Sequence, residues 1–216
     1  MIWKDHSRDP RRGDHALFSP SQMSWVNDRT EDEIMDRFSR QVAKDIGTIV
    51  HEIAKKAIAT QTKFSKAAAR SLITMELVSH DIPRVAFDSS ILAENFVNYI
   101  NDAIGYMMIP EKDLYFSEWC YGTADAIQVD EARRVVRIHD LKTGVIPAKF
   151  LQLEIYAALL YLDHFPFMDP NDYRTELRIY QGGEILEEYP TAEEIASIME
   201  SIQWHSEIMD KYKEGN

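Results

Sequence analysis

Apolar residues recur every three to four positions through Ile34, Phe38, Val42, Ile46, Ile49, Ile53 and Ala57, and this spacing predicts one long amphipathic helix. Thr30, followed three places on by Glu33, is a capping box that opens it. Ahead of it, the Ser/Pro-rich FSPSQMSW (Phe18 to Trp25) predicts a short helix, and two more helices are predicted over about 65–78 and 90–107. The texture then changes. DLYFSEWCYGTADAIQV and RRVVRIHDLKTG are rich in β-branched and aromatic residues, with a turn near Asp130 to Arg133. A helix follows Pro147 (AKFLQLEIYAALLYL). Two short strands, RTELRIYQ and EILEEYP, are joined by Gly182-Gly183, a strong hairpin signal, and a second capping box (Thr191, Glu194) opens the last helix. Helices, three strands, helix, two strands and helix predict an α/β or α+β fold on one central mixed sheet flanked by helices.

The same alternation locates the first candidate chemistry. With Asp130 opposite Arg133, Asp125 lies opposite Ile138 and Asp140 sits one diagonal step away. Asp125, Asp140 and Lys142 then project from the face that carries Ile127, Val129, Val136 and Ile138. The other face carries Ala124, Ala126, Gln128, Arg137 and His139, and reads as the wet one. Two carboxylates at the end of an apolar face are costly unless a cation or hydrogen bonds offset them. Hard oxygen donors favour Mg2+ or Mn2+, and Lys142 beside such an ion suits metal-assisted phosphodiester hydrolysis. The same three residues also suit a surface salt bridge.

Charge narrows the picture. The net charge of −12 argues against a general polyanion binder. Lys55, Lys56, Lys63, Lys66 and Arg70 nevertheless form a run without an acid, readable as a basic track or as a solvated helix face. The lone Cys120 can neither form an internal disulfide nor by itself hold a zinc or iron–sulfur centre, and reads as a half-buried strand residue. No apolar run reaches membrane-spanning length and the polar start lacks a signal-peptide core, so a cytoplasmic location without membrane attachment is expected.

Three stretches in order, GTAD (Gly122 to Asp125), DLKTG (Asp140 to Gly144) and Gln152 with Tyr156, resemble the G-x-x-D, D-x-K-T-G and Q-x-x-x-Y motifs of the RecB-type nuclease domains of the PD-(D/E)XK superfamily. Upstream, GTIVHE (Gly47 to Glu52) resembles that family's G-x-x-x-H element. The resemblance implies a restriction-endonuclease-like core and a single nuclease domain over 1–216. Its parts would be an arm (1–28), a helical region (29–110), a sheet core (111–190) with a helix over 148–163, and a final helix (191–212). It implies Asp125, Asp140, His51 and the backbone carbonyl of Leu141 as ligands of Mg2+ or Mn2+, and Lys142 as the catalytic lysine. Gln152 and Tyr156 would position the site and the strand, and Glu118 would be an accessory acid. The implied activity is a DNA exonuclease acting on single- or double-stranded DNA, ends favoured, in recombination, repair or phage DNA processing. Lys55, Lys63, Lys66, Arg70 and Lys149 would contact the DNA, with Lys149 on the helix stripe of Gln152 and Tyr156. A protein partner or a second copy would add grip. Competing expectations are a structure-specific endonuclease and a catalytically silent nuclease-like binding protein.

Overall fold

The computed structural model describes residues 17–164 and 166–215. Residues up to Asp45 and residues from Ile46 onward form two compact units. Of the arm expected over 1–28, residues 1–16 lie outside the described ones. Pro20–Asn27 form a 3-10 helix whose first turn is capped by the Ser19 hydroxyl. Arg37 reaches back to Asp28 at 2.8 Å, and Trp25 donates to the Ser19 carbonyl at 2.9 Å.

Helix α1 (Glu31–Ala59) opens on the expected box: the Thr30 hydroxyl accepts from the Glu33 backbone N–H, and the Glu33 carboxylate accepts from that of Thr30. Its buried residues step by four through Val42, Ile46, Val50, Ala54 and Ile58, with the expected Ala57 buried beside them, so Val50 and Ala54 replace the expected Ile49 and Ile53, which flank the row half-buried. Ile34 and Phe38 remain exposed. Among the described residues the first unit offers only the 3-10 helix and this half-helix, with no sheet for them to cover.

In the second unit, α2 (Lys66–Ser79) is capped by Ser65 and α3 (Ser89–Gly105) by Asp88. Strands β1 (Ile109–Ser117), β2 (Cys120–Asp130), β3 (Val135–Leu141), β4 (Arg174–Gln181) and β5 (Glu184–Glu188) form one sheet in that order. Only β3 and β4 run parallel, and α4 (Leu151–His164) makes the crossover a parallel pair requires. The expected mixed sheet flanked by helices is thus present. α4 and α5 (Ala192–Lys213) lie on one side with the main apolar cluster, and α3 packs against β3 and β4. Gly182 and Gly183 both take positive φ, as a two-residue hairpin turn demands. Among the described residues no helix is long and apolar enough to cross a membrane.

Three expectations need correction. Asp130 pairs with Val135, not Arg133. The turn takes four residues, because the Asp130 carboxylate accepts from the Arg133 backbone N–H and Arg134 adopts φ 52°. The register therefore moves by two, which preserves the shared face, and one step past the last ladder pair, Ala126 with His139, Asp125 comes opposite Asp140. Second, the helix after Pro147 begins at Leu151, not Ala148. The Gln181 side chain accepts from the Ala148 N–H and donates to the carbonyls of Gly144 and Ile146, which holds this stretch as a loop. Lys149 belongs to that loop and not to the helix stripe. Third, the face expected to be wet is covered: Arg137 and His139 are buried, His139 fully.

Candidate metal centre

The site forms where β3 leaves the sheet. The Lys142 N–H donates to the Tyr180 carbonyl at 3.0 Å, which extends the β3–β4 contact by one residue. Its own carbonyl accepts from the Asn95 amide at 3.3 Å, and the Asn95 side-chain oxygen accepts from the Gly183 N–H at 2.7 Å. Asn95 is 3 % exposed, so this bridge from α3 to the lysine and to the β4–β5 turn is a buried one. A buried amide with both ends satisfied fixes the backbone it touches.

From that anchored backbone the Lys142 ammonium donates to Asp140 Oδ1 at 3.0 Å and to Gln152 Oε1 at 3.1 Å. Gln152 donates in turn to the Tyr156 hydroxyl at 3.2 Å. The two residues are four apart on α4 and so share its face. Tyr156 lies so close to Gly122 that a Cβ there would sit 3.0 Å from its ring. The glycine of GTAD, the acid and lysine of DLKTG and the later Gln and Tyr are therefore in contact through one chain of groups. Gly47 lies against Thr143 at a looser fit, since a Cβ there would make an ordinary 3.5 Å contact with the Thr143 hydroxyl, and this brings the DLKTG segment beside α1.

Asp125 lies beside this chain. Its Oδ2 accepts from the Leu141 N–H at 3.0 Å and stands 3.3 Å from His51 Nδ1. Burial pushes its carboxyl up to about 6; His51 opposes the shift, and the negative charge of Asp140 adds to it. Asp140 is 3 % exposed, and its second oxygen, Oδ2, is buried without a hydrogen-bond partner. A buried, unpartnered carboxylate oxygen next to a second acid is costly unless something cationic completes it.

Strand regularity breaks here. The β1–β2 ladder runs Pro110 with Ala126 and Lys112 with Ala124, but omits Glu111 and Asp125 between them. Glu111 has φ 49°, in the left-handed region. Ala124 and Ile127, which strict alternation would send to opposite faces, both belong to the apolar cluster with α4. The irregularity brings the Glu111 carboxylate to His51 and Asp125: one donor atom from each of the three lies within 4.8 Å of the others. One nitrogen with two carboxylate oxygens is a donor set that fits Mn2+ or Mg2+, while Asp140, expected as a ligand, is not among the three clustered donors.

Other expected residues lie elsewhere. Glu118 is not on the strand but in the β1–β2 turn, where both carboxylate oxygens accept from Lys213 of α5, so it is no accessory acid of this centre. Lys66 pairs with Glu94, and Arg70 donates to the Ser89 hydroxyl, so both are tied to α3. Lys55, Lys63 and Lys149 are exposed, and none makes an ion pair among the described residues. Sequence reasoning missed Asn95 and Glu111. Asn95 lies in an ordinary amphipathic helix, and Glu111 could be found only from the pairing of β1 with β2. No protein-family model and no curated protein matches this chain.

Proposed function

We propose that this protein is a metal-dependent deoxyribonuclease with a restriction-endonuclease-like core of RecB type, trimming DNA from its ends in the cytoplasm. The observation that carries this reading is the lysine held between Asp140 and Gln152, immediately beside the Asp125–His51 pair. Asp125, Asp140, His51 and the Leu141 carbonyl would hold Mg2+ or Mn2+. When bound, such an ion supplies a Lewis acid for a phosphoryl oxygen and lowers the pKa of a water molecule.

The chain's own groups do the rest. Lys142 presents a positive charge where negative charge develops on the phosphate, and a preorganised charge of that kind stabilises a transition state without reorganisation. Gln152 fixes the direction of the ammonium, Tyr156 fixes Gln152, and Gly122 leaves the room Tyr156 needs. Lys55, Lys63 and Lys149 offer phosphate contacts that weaken as salt rises. The resemblance of the three motifs to RecB-type nucleases supports ends as the preferred substrate.

The test uses end-labelled linear DNA and closed circular DNA with Mn2+, against Asp140→Asn. Loss of the linear substrate with the circle intact is expected. The variant should be slower by about 10^3-fold, as several kcal/mol of transition-state stabilisation implies. A nicked circle would convert the reading to an endonuclease. No cleavage of any DNA or RNA would overturn it.

A further inference from the structure

We propose that Glu111 is a ligand of a divalent cation that it holds together with His51 and Asp125, and that this cation is resident before nucleic acid arrives. The inference deepens the nuclease reading and rests on it for the purpose of the ion, though not for its presence. Its basis is geometric. The donor atoms of His51, Glu111 and Asp125 already lie within 4.8 Å of one another. Glu111 and Asp125 drop out of the ladder together, and Glu111 takes a left-handed backbone angle in mid-strand to do so. No hydrogen bond or ion pair of the Glu111 carboxylate occurs among the described residues.

Charge gives the second argument. Glu111, Asp125 and Asp140 bring three negative charges together, and Lys142 returns one. With His51 as a neutral imidazole ligand the cluster is left two charges negative, and one divalent cation neutralises it. Without Glu111 the balance would be one charge short, and a phosphate would be needed to complete it. The third carboxylate therefore makes cation binding independent of substrate. Asp140, whose charge acts on Asp125 and whose Oδ2 is buried without a hydrogen-bond partner, lies outside the three clustered donors, and the charge of such an ion would offset it through space.

The experiment is Mn2+ binding to the full chain without nucleic acid, read by calorimetry and by the paramagnetic resonance of free Mn2+. The wild type is compared with Glu111→Gln and with Asp113→Asn. Asp113, two residues along β1, accepts from Thr123 and serves as the control. Wild type should bind Mn2+, Glu111→Gln at least tenfold more weakly, and Asp113→Asn within twofold of wild type. Removing one of three repelling acids should leave Glu111→Gln folded. Should it not fold, Glu111→Ala carries the same expectation, and the wild-type titration stands alone as a test of residence. A Glu111→Gln affinity within threefold of wild type, or no Mn2+ bound by wild type, would overturn the proposal. Mn2+ bound by wild type with no cleavage of any nucleic acid would sink the nuclease reading and leave the ligand assignment standing.

Discussion

The sheet carries two groups of charges, one centred on β3 and β4 against α3 and one gathered from β1, β2 and the end of β3, and the two are built differently. On the α3 side Arg137 pairs with Glu176 and Asp130, and Arg178 with Glu176, Asp102 and Glu187. Arg174 and Arg133 complete the set on Glu176 and Asp130. Four arginines thus meet four carboxylates, and Arg137 also lies over the Tyr106 ring at 4.4 Å. A few atoms, Arg137 Nε and Glu176 Oε1 among them, are ion-paired without an aligned hydrogen bond, but no charge lacks an opposite. Around Asp125 and Lys142 three carboxylates, from β1, β2 and β3, face one lysine. A charge group that serves only the fold tends to neutralise itself, because unmatched buried charge costs several kcal/mol. The excess of acid around Asp125 is what marks that side as a place for a ligand.

The sharpest way to break this comparison is to remove one acid from each side. Asp140→Asn should cost about 10^3-fold in Mn2+-dependent cleavage while its melting temperature stays within about 4 °C of wild type, about 1 kcal/mol in a chain of this size. Glu176→Gln should do the opposite. It removes the buried acid that Arg137, Arg174 and Arg178 share, leaves the buried Arg137 with only the longer contact to Asp130, and should cost about 3–5 kcal/mol in denaturant unfolding, with cleavage within about threefold at a temperature where the variant is folded. Equal effects of the two on stability and on cleavage would erase the distinction.

Asn95→Ala sharpens it on a smaller scale. Among the described residues its side chain hydrogen-bonds to backbone alone, that of Lys142 and Gly183. A loosened lysine should lower kcat by about 10–100-fold with KM for DNA little changed, since misplacement of a reacting group by about 1 Å costs on that order. A rise in KM at constant kcat would make Asn95 a binding residue instead. Smallest of all, Thr191→Ala removes the box that opens α5 and should cost about 1 kcal/mol by chemical denaturation, without effect on cleavage.

The contrast also explains what the sequence disclosed. Periodicity and capping residues marked the five α-helices and the five strands, though not the short 3-10 turns at Arg84–Ala86 and Pro170–Asp172; Thr30 with Glu33 and Thr191 with Glu194 do locally what boxes do anywhere. The shared face of Asp125 and Asp140 survived a register error, since a shift of two residues keeps the parity. Gln152 and Tyr156 are four apart on one helix, and their shared face could be anticipated; that Lys142 meets Gln152 depends on the loop between them and was implied only by the motif resemblance. Glu111 could not: its position depends on a break in β1 opposite Asp125, a property of two strands together. The resemblance implies Glu118, expected on the strand before Asp125, as an accessory acid, yet the turn carries it away to Lys213. The arginine network was invisible because Glu176, Asp102 and Arg137 come from three separate elements. Alternation along the first hairpin left that face looking wet.

The central claim is that the surplus acid beside Lys142 exists to hold one divalent cation. Crystals grown with Mn2+ and measured at the manganese absorption edge test it most directly. The account predicts one strong anomalous peak within coordination distance of His51, Glu111 and Asp125, absent from crystals of Asp125→Asn. A map with no peak there, or the same peak in the variant, would contradict it.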